Sequence, residues 1–192
     1  QFPGARWFEG ARLNFAENIL RHRSDKPALI ARLENGARKT VTYNELFDQV
    51  SECAAGLRQL GVVSGDRVAG FMPNIPETIV AMLATASIGA IWSSCSPDFG
   101  INGVMDRFGQ IEPKVLFGCD GYFYNGKTID TLPRLDAICS KIGSIAQLVV
   151  VPVVDAAPSL DKIARAITWE EFLSAERGAA LAFEPLPFNH PL

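Results

Sequence analysis

GVVSGDRVAGFMPNIPETIVAMLATASIGAIWSSCSPDFG, residues Gly61 to Gly100, decides the fold. Its first apolar run, Val68 to Met72, is short and continuous, the pattern of a strand buried on both faces. Pro73-Asn74 break that run, and Pro76 stands where proline suits the first turn of a helix. From there to Ile88, apolar residues occupy most sides (Ile79, Val80, Met82, Leu83, Ala86), so a well-buried helix is expected. Gly89 ends it, and Ala90 to Ser93 reads as the next short strand. Strand, buried helix and strand in direct succession make the repeating unit of a parallel sheet.

The pattern continues downstream. Ser94 to Gly100 reads as a loop, followed by a helix from about Asn102 to Ile111 with Val104, Met105, Phe108 and Ile111 on one face. Val115 to Gly118 is a third strand, Cys119 to Lys127 a Gly/Tyr/Asn-rich loop, Pro133 to Ile142 a helix, and Leu148 to Val151 a fourth strand. The predicted fold is therefore α/β: a doubly wound, mostly parallel sheet with helices on both faces, its core at about residues 62–155. Ala166 to Trp169 reads as a further strand and Glu170 to Ala175 as a short helix. Beyond them Pro185, Pro187 and Pro191 impose an extended tail.

Upstream, residues 1–26 read as an arm laid across a larger body, with Leu13, Phe15, Ile19 and Leu20 on one helical face. Ala28 to Arg32 and Lys39 to Thr42 flank Glu34-Asn35-Gly36 and predict a hairpin, Asn-Gly being the strongest short signal for one. Thr42-Tyr43-Asn44-Glu45 has the form of a capping box. The helix it opens carries Leu46, Val50, Cys53, Ala54, Leu57 and Leu60 on one face, and Gly61 stops it.

Composition narrows the function. A net charge of −3 leaves no basic footprint for nucleic acid or an anionic membrane. The longest apolar-leaning run, Ile79 to Trp92, is too short to span a bilayer. The four cysteines (Cys53, Cys95, Cys119, Cys139) form no CxxC pair, and only His22 and His190 accompany them, so no metal site is expected. Cys53 and Cys139 fit helical apolar patterns as small core residues, and the cytoplasm is the expected compartment. The chain starts at Gln1 and stops at Leu192 without a terminating element, so both ends are expected to be cuts.

No catalytic residue is assigned. Ser93-Ser94-Cys95-Ser96 follows a strand, where open α/β sheets bind ligands, but a nucleophile there would need a base that neither histidine supplies. Gly65-Asp66-Arg67 reads as a turn that fixes the start of the first long strand, with phosphate binding by Arg67 the competing reading. Neither GxGxxG nor GxxxxGK[ST] occurs, so a nucleotide-capable sheet lacks a glycine-rich phosphate loop.

The stretch Gly61 to Gly100, with TYNEL at Thr42 to Leu46, resembles the adenylate-forming enzymes: acyl-CoA synthetases, luciferases and peptide-synthetase adenylation domains. WFEGARLNFAENIL (Trp7 to Leu20) and SPDFGINGVMDRFGQIEPKVLF (Ser96 to Phe117) resemble the acetoacetyl-CoA synthetase branch. The closing PLPFNHPL resembles the segment that leads into that family's Ser/Thr/Gly-rich phosphate loop. The resemblance implies that residues 27–192 are the first part of a large ligase domain, truncated before that loop. It implies a parent that joins acetoacetate to CoA through an acyl-adenylate, with ATP and Mg2+ as cofactors and the remainder of its own chain as a partner. This portion alone would be inactive. In acetyl-CoA synthetase-like relatives a Phe-Gly-Gly packs against the CoA nucleotide; Phe99 and Gly100 match it, while Ile101 stands at the third position. Basic residues after the next strand contact the CoA phosphates there. Lys127 falls nearest to one of them, where arginine is usual, and the second lies near Tyr124. A ligase for another short acid such as acetate or propionate, and a non-catalytic CoA- or nucleotide-binding module, are the alternatives.

Overall fold

The computed structural model describes Gly4 and residues 7–192. In chain order the elements are β1 (Arg12–Leu13), α1 (Phe15–Leu20), β2 (Pro27–Arg32), β3 (Arg38–Thr42), α2 (Tyr43–Gln59), β4 (Arg67–Phe71), α3 (Pro76–Ser87), β5 (Ile91–Cys95) and α4 (Ile101–Ile111). There follow β6 (Val115–Cys119), β7 (Gly121–Tyr124), β8 (Lys127–Asp130), α5 (Leu132–Lys141), β9 (Gln147–Val151), β10 (Ala166–Thr168), α6 (Trp169–Ser174) and β11 (Leu186–Pro187).

The central sheet has five strands in the order β10-β9-β6-β4-β5, and every neighbouring pair is parallel. Alternate residues feed two apolar layers. Val68, Val115, Phe117, Val149 and Val151 share one layer with residues of α2, α3 and α6, with α1 packed on α3 at its margin, whereas Ala69, Phe71, Leu116, Leu148 and Val150 share the other with α4 and α5. This is the doubly wound arrangement expected. Phe117 is the hub of the first layer, fully buried, with its ring 6.2 Å from Trp92, 5.9 Å from Trp169 and 5.7 Å from Phe172. Burying such a side chain contributes about 2–3 kcal/mol. In the second layer Gly118 lets Leu135 of α5 approach so closely that a Cβ would sit 2.5 Å from it.

Local chemistry explains the helix ends. Thr42 and Glu45 close the expected capping box on α2, and Gly61 continues the chain at φ +73, open to glycine without strain. A second capping box, Thr168 with Glu171, opens α6. The β2–β3 hairpin forms in antiparallel register as the Asn35-Gly36 signal predicts.

Four readings are corrected. The strand read as Ala90 to Ser93 runs from Ile91 to Cys95, because Ser94 and Cys95 pair with Gly70 and Phe71 instead of opening a loop. The expected loop Cys119 to Lys127 contains the strand β7 and the start of β8 in an antiparallel hairpin, Tyr124 opposite Lys127. In the arm, Ala16 and Leu20 are the buried pair; Ile19 is exposed, and Leu13 lies in β1, paired with Leu186 of the tail. Trp169 begins α6 instead of ending the preceding strand. Of the arm, residues 1–3, 5 and 6 lie outside the described residues.

Candidate functional site

Counted along the chain, the sheet order is 2-1-3-4-5, so connections leave β4 and β6 in opposite directions. In open parallel sheets of this order the ligand crevice lies at the carboxyl ends of those two strands. The loops after β5 and β6 emerge on this edge, on either side of β4, with origins roughly 10 Å apart at the ordinary strand spacing.

The loop after β5 carries Phe99 and Gly100. A turn with Phe99 N–H donating to the Ser96 carbonyl (3.1 Å) sets its path. The Arg107 guanidinium lies over the Phe99 ring, 4.7 Å from its centre, and Arg134 of α5 donates to the Pro97 carbonyl at 2.7 Å. Gly100 is the N-cap of α4 at φ −65, with nothing within 4 Å of a Cβ built on it, so the backbone there stands open.

The loop after β6 is the β7–β8 hairpin. Its two-residue turn has Asn125 at φ 50 and Gly126 at φ 69, the geometry Asn-Gly favours. Its root is fixed by Asp120, whose buried carboxylate accepts the main-chain N–H groups of Val153 (2.6 Å), Val154 (3.2 Å) and Asp155 (2.7 Å). Thr131 completes the anchor, its hydroxyl donating to the Cys119 carbonyl and its N–H to that of Asp120. Lys127, just past the turn, is exposed, and its ammonium has no ion-pair partner among the described residues. No hydrogen bond or ring contact joins the Phe99–Gly100 loop to the hairpin among the described residues. All three candidate residues lie in loops that follow the carboxyl ends of β5 and β6, in two separate segments.

The competing candidates resolve into structure. Arg67 Nε donates to Ile111 O (2.6 Å) and its terminal nitrogen to Glu112 O (3.2 Å), capping the end of α4. Asp66 accepts the Val63 N–H at 2.9 Å and the Lys114 ammonium at 3.3 Å. The turn reading of Gly65-Asp66-Arg67 therefore prevails over phosphate binding. Cys95 is buried and its thiol is pushed up by desolvation. Cys119 and Cys139 are pushed up to about 11 for the same reason. His190 contacts the Gly89 carbonyl and His22 the Arg21 guanidinium, so neither serves Ser94 or Cys95 as a base.

Residues 15–181 match the family model described as AMP-binding enzyme. The chain belongs to the AMP-binding enzyme family. It is 50% identical over 189 residues to the acetoacetyl-coenzyme A synthetase of Rhizobium meliloti, an alignment covering 98% of this chain and 29% of that protein. It is 39% identical to a malonamoyl-CoA synthetase of Penicillium aethiopicum, covering 100% of this chain and 28% of that protein. Among solved structures, the acetoacetyl-CoA synthetase from Streptomyces lividans superposes with a TM-score of 0.90 at 42% identity, covering 98% of this chain and 29% of that one. The chain thus spans about 29% of the length of the acetoacetyl-CoA synthetases it matches.

Within this AMP-binding enzyme chain, three site-forming residues escaped sequence reasoning: Asp120, Thr131 and Arg134. Asn125-Gly126 signalled the hairpin as plainly as Asn35-Gly36 did. Nothing local marks Asp120, since its amide partners lie 33 to 35 residues away.

Proposed function

We propose that this chain is the N-terminal portion of an AMP-forming ligase converting acetoacetate, ATP and CoA into acetoacetyl-CoA, AMP and pyrophosphate. It supplies one wall of the CoA site. The observation that carries the reading is the half-identical match across nearly the whole chain to a bacterial acetoacetyl-CoA synthetase. A carboxylate is a poor electrophile; adenylation supplies a leaving group, and the CoA thiol then displaces AMP. The residues present fit CoA. Lys127 offers a phosphate a cation that is unpaired among the described residues, and Phe99 with the open backbone of Gly100 offers a surface for the nucleotide. Lysine acts as a point charge, so the contact is less directional than an arginine fork. ATP and Mg2+ are held by parts of the parent outside this chain, residues 27–192 open its large domain, and the cytoplasm is its compartment. No helix among the described residues is long and apolar enough to cross a membrane.

ATP–pyrophosphate exchange with acetoacetate, acetate, propionate and malonamate tests this on the 192-residue chain and on the full-length parent. No exchange by the chain and a preference for acetoacetate by the parent are expected; robust exchange by the chain alone would sink the assignment of labour. The match to a malonamoyl-CoA synthetase favours the runner-up, a ligase for another short acid, and a parent preferring malonamate would establish it. Lys127→Ala in the parent is expected to raise KM for CoA roughly fivefold, about 1 kcal/mol, with adenylation little changed. An unchanged CoA dependence would remove Lys127 from the site.

A further inference from the structure

The tips of two hairpins from different sheets meet beside Lys127. Gly126 is the second central residue of a turn that Tyr124 and Lys127 close, so its N–H takes no part in the β7–β8 ladder and points outward. That N–H donates to a carboxylate oxygen of Glu34, 3.3 Å away and 92 residues distant in the chain. Glu34 is held there by the β2–β3 turn, where Gly36 N–H donates to Leu33 O (3.0 Å) and Ala37 N–H to the Asn35 side chain (3.0 Å).

We propose that Glu34 is a built-in competitor for the CoA phosphate: in the free ligase its carboxylate occupies the Gly126 amide, and a phosphate on the Lys127 hairpin must displace it. This rests on the reading of Lys127 as a CoA contact. The contact is exposed and long, so it is weak enough to yield to a phosphate that also meets the Lys127 ammonium. It still lowers apparent affinity, because only the fraction of molecules with the amide free can bind. The negative charge beside the turn acts in the same direction, repelling the incoming anion. Glu34 is thus a residue that tunes affinity for CoA while leaving adenylation alone.

The test is steady-state kinetics and ATP–pyrophosphate exchange on the full-length ligase carrying Glu34→Ala, Glu34→Gln or Lys127→Ala. Glu34→Ala is expected to lower KM for CoA roughly two- to fivefold, with KM for ATP, KM for the acid and the exchange rate unchanged. Glu34→Gln, which keeps an acceptor and loses the charge, should fall between it and the parent. A KM for CoA that stays the same or rises in Glu34→Ala overturns the proposal, a rise meaning that Glu34 merely orders the hairpin. If Lys127→Ala raises KM for CoA in the same experiment, the CoA reading survives that failure. If neither Lys127→Ala nor Glu34→Ala moves it, both readings fall. Glu34 is exposed, so an unchanged urea midpoint is expected and confirms that folding is not what was measured.

Discussion

Replacing Asn14 by aspartate keeps the shape of the side chain and puts an acceptor where its amide group donates. Asn14 is only 2% exposed and joins three parts of the fold. Its oxygen accepts the N–H groups of Ala16 (2.9 Å) and Glu17 (3.3 Å), capping α1. Its amide nitrogen lies 3.0 Å from each of the carbonyls of Ala86, Ser87 and Glu184, tying the arm to the end of α3 and to the tail. Asn14→Ala removes the cap, worth about 1 kcal/mol. Two of the three carbonyls keep another donor, since Gly89 N–H reaches Ala86 O at 3.1 Å and Glu184 N–H reaches Ser87 O at 2.8 Å. The remaining loss is about 1–2 kcal/mol, for a total of about 2–3 kcal/mol. Asn14→Asp keeps the cap but sets a buried carboxylate oxygen against three carbonyl oxygens, a cost of about 3–5 kcal/mol when ionised. The introduced carboxyl is then raised in the folded state. Its neutral form donates to one carbonyl, so stability is retained below the unfolded value of about 4 and lost as pH rises through the folded value. Urea unfolding followed by tryptophan fluorescence should rank Asn14→Asp below Asn14→Ala at pH 7 and reverse that order near pH 4. An aspartate variant as stable as the alanine variant at pH 7 would refute the donor role of the amide.

Gly118→Ala places a methyl group 2.5 Å from the buried Leu135 and should destabilise the protein by about 1–3 kcal/mol. Adding Leu135→Ala should cost less than the sum of the two single changes, and full additivity in a denaturation cycle would contradict the close approach. Glu45 and Glu171 are both held below the ordinary carboxylate value, first by the backbone N–H groups of Thr42 and Thr168 and then by their hydroxyls. Their contribution is therefore complete above the unfolded value and fades as pH falls through the lower, folded one. The double variant Glu45→Gln, Glu171→Gln should flatten the acid limb of a plot of urea midpoint against pH; an unaltered limb argues against both boxes.

The elements most legible in the sequence are those whose signals are local. Buried runs such as Val115 to Phe117, the Thr42/Glu45 box and the Asn35-Gly36 turn depend on neighbours within a few residues. The extension of β5 through Ser94 and Cys95 was illegible for the opposite reason. Ser94 is small and polar, so the buried Cys95 beyond it continues no apolar run, and both are recruited as strand by pairing with Gly70 and Phe71 of the preceding strand. Ile19 misled because an apolar residue on a short helix can face solvent when Ala16 and Leu20 already fill the contact. At the site, Phe99, Gly100 and Lys127 were reachable only by resemblance. What anchors them, Asp120 and Arg134, spans 33 to 37 residues of sequence and obeys no period.

The same long-range anchoring limits what this edge can do. Asp120 is taken up by main-chain amides, Arg134 by Pro97, Arg67 by the end of α4, and the Thr131 hydroxyl by Cys119. Lys127, the Gly126 amide that Glu34 covers and the open backbone at Gly100 are among the groups the candidate edge leaves to a ligand, with the exposed Ser94, Ser96 and Asn102 beside them. An exposed lysine contributes about 1 kcal/mol to binding an anion. Enzymes as a class lower barriers by at least about 8 kcal/mol. Exposed contacts of this strength fall short of such a barrier by most of that difference. On the reading proposed, changes on this edge therefore act through KM for CoA, and the exchange reaction runs as though they were absent.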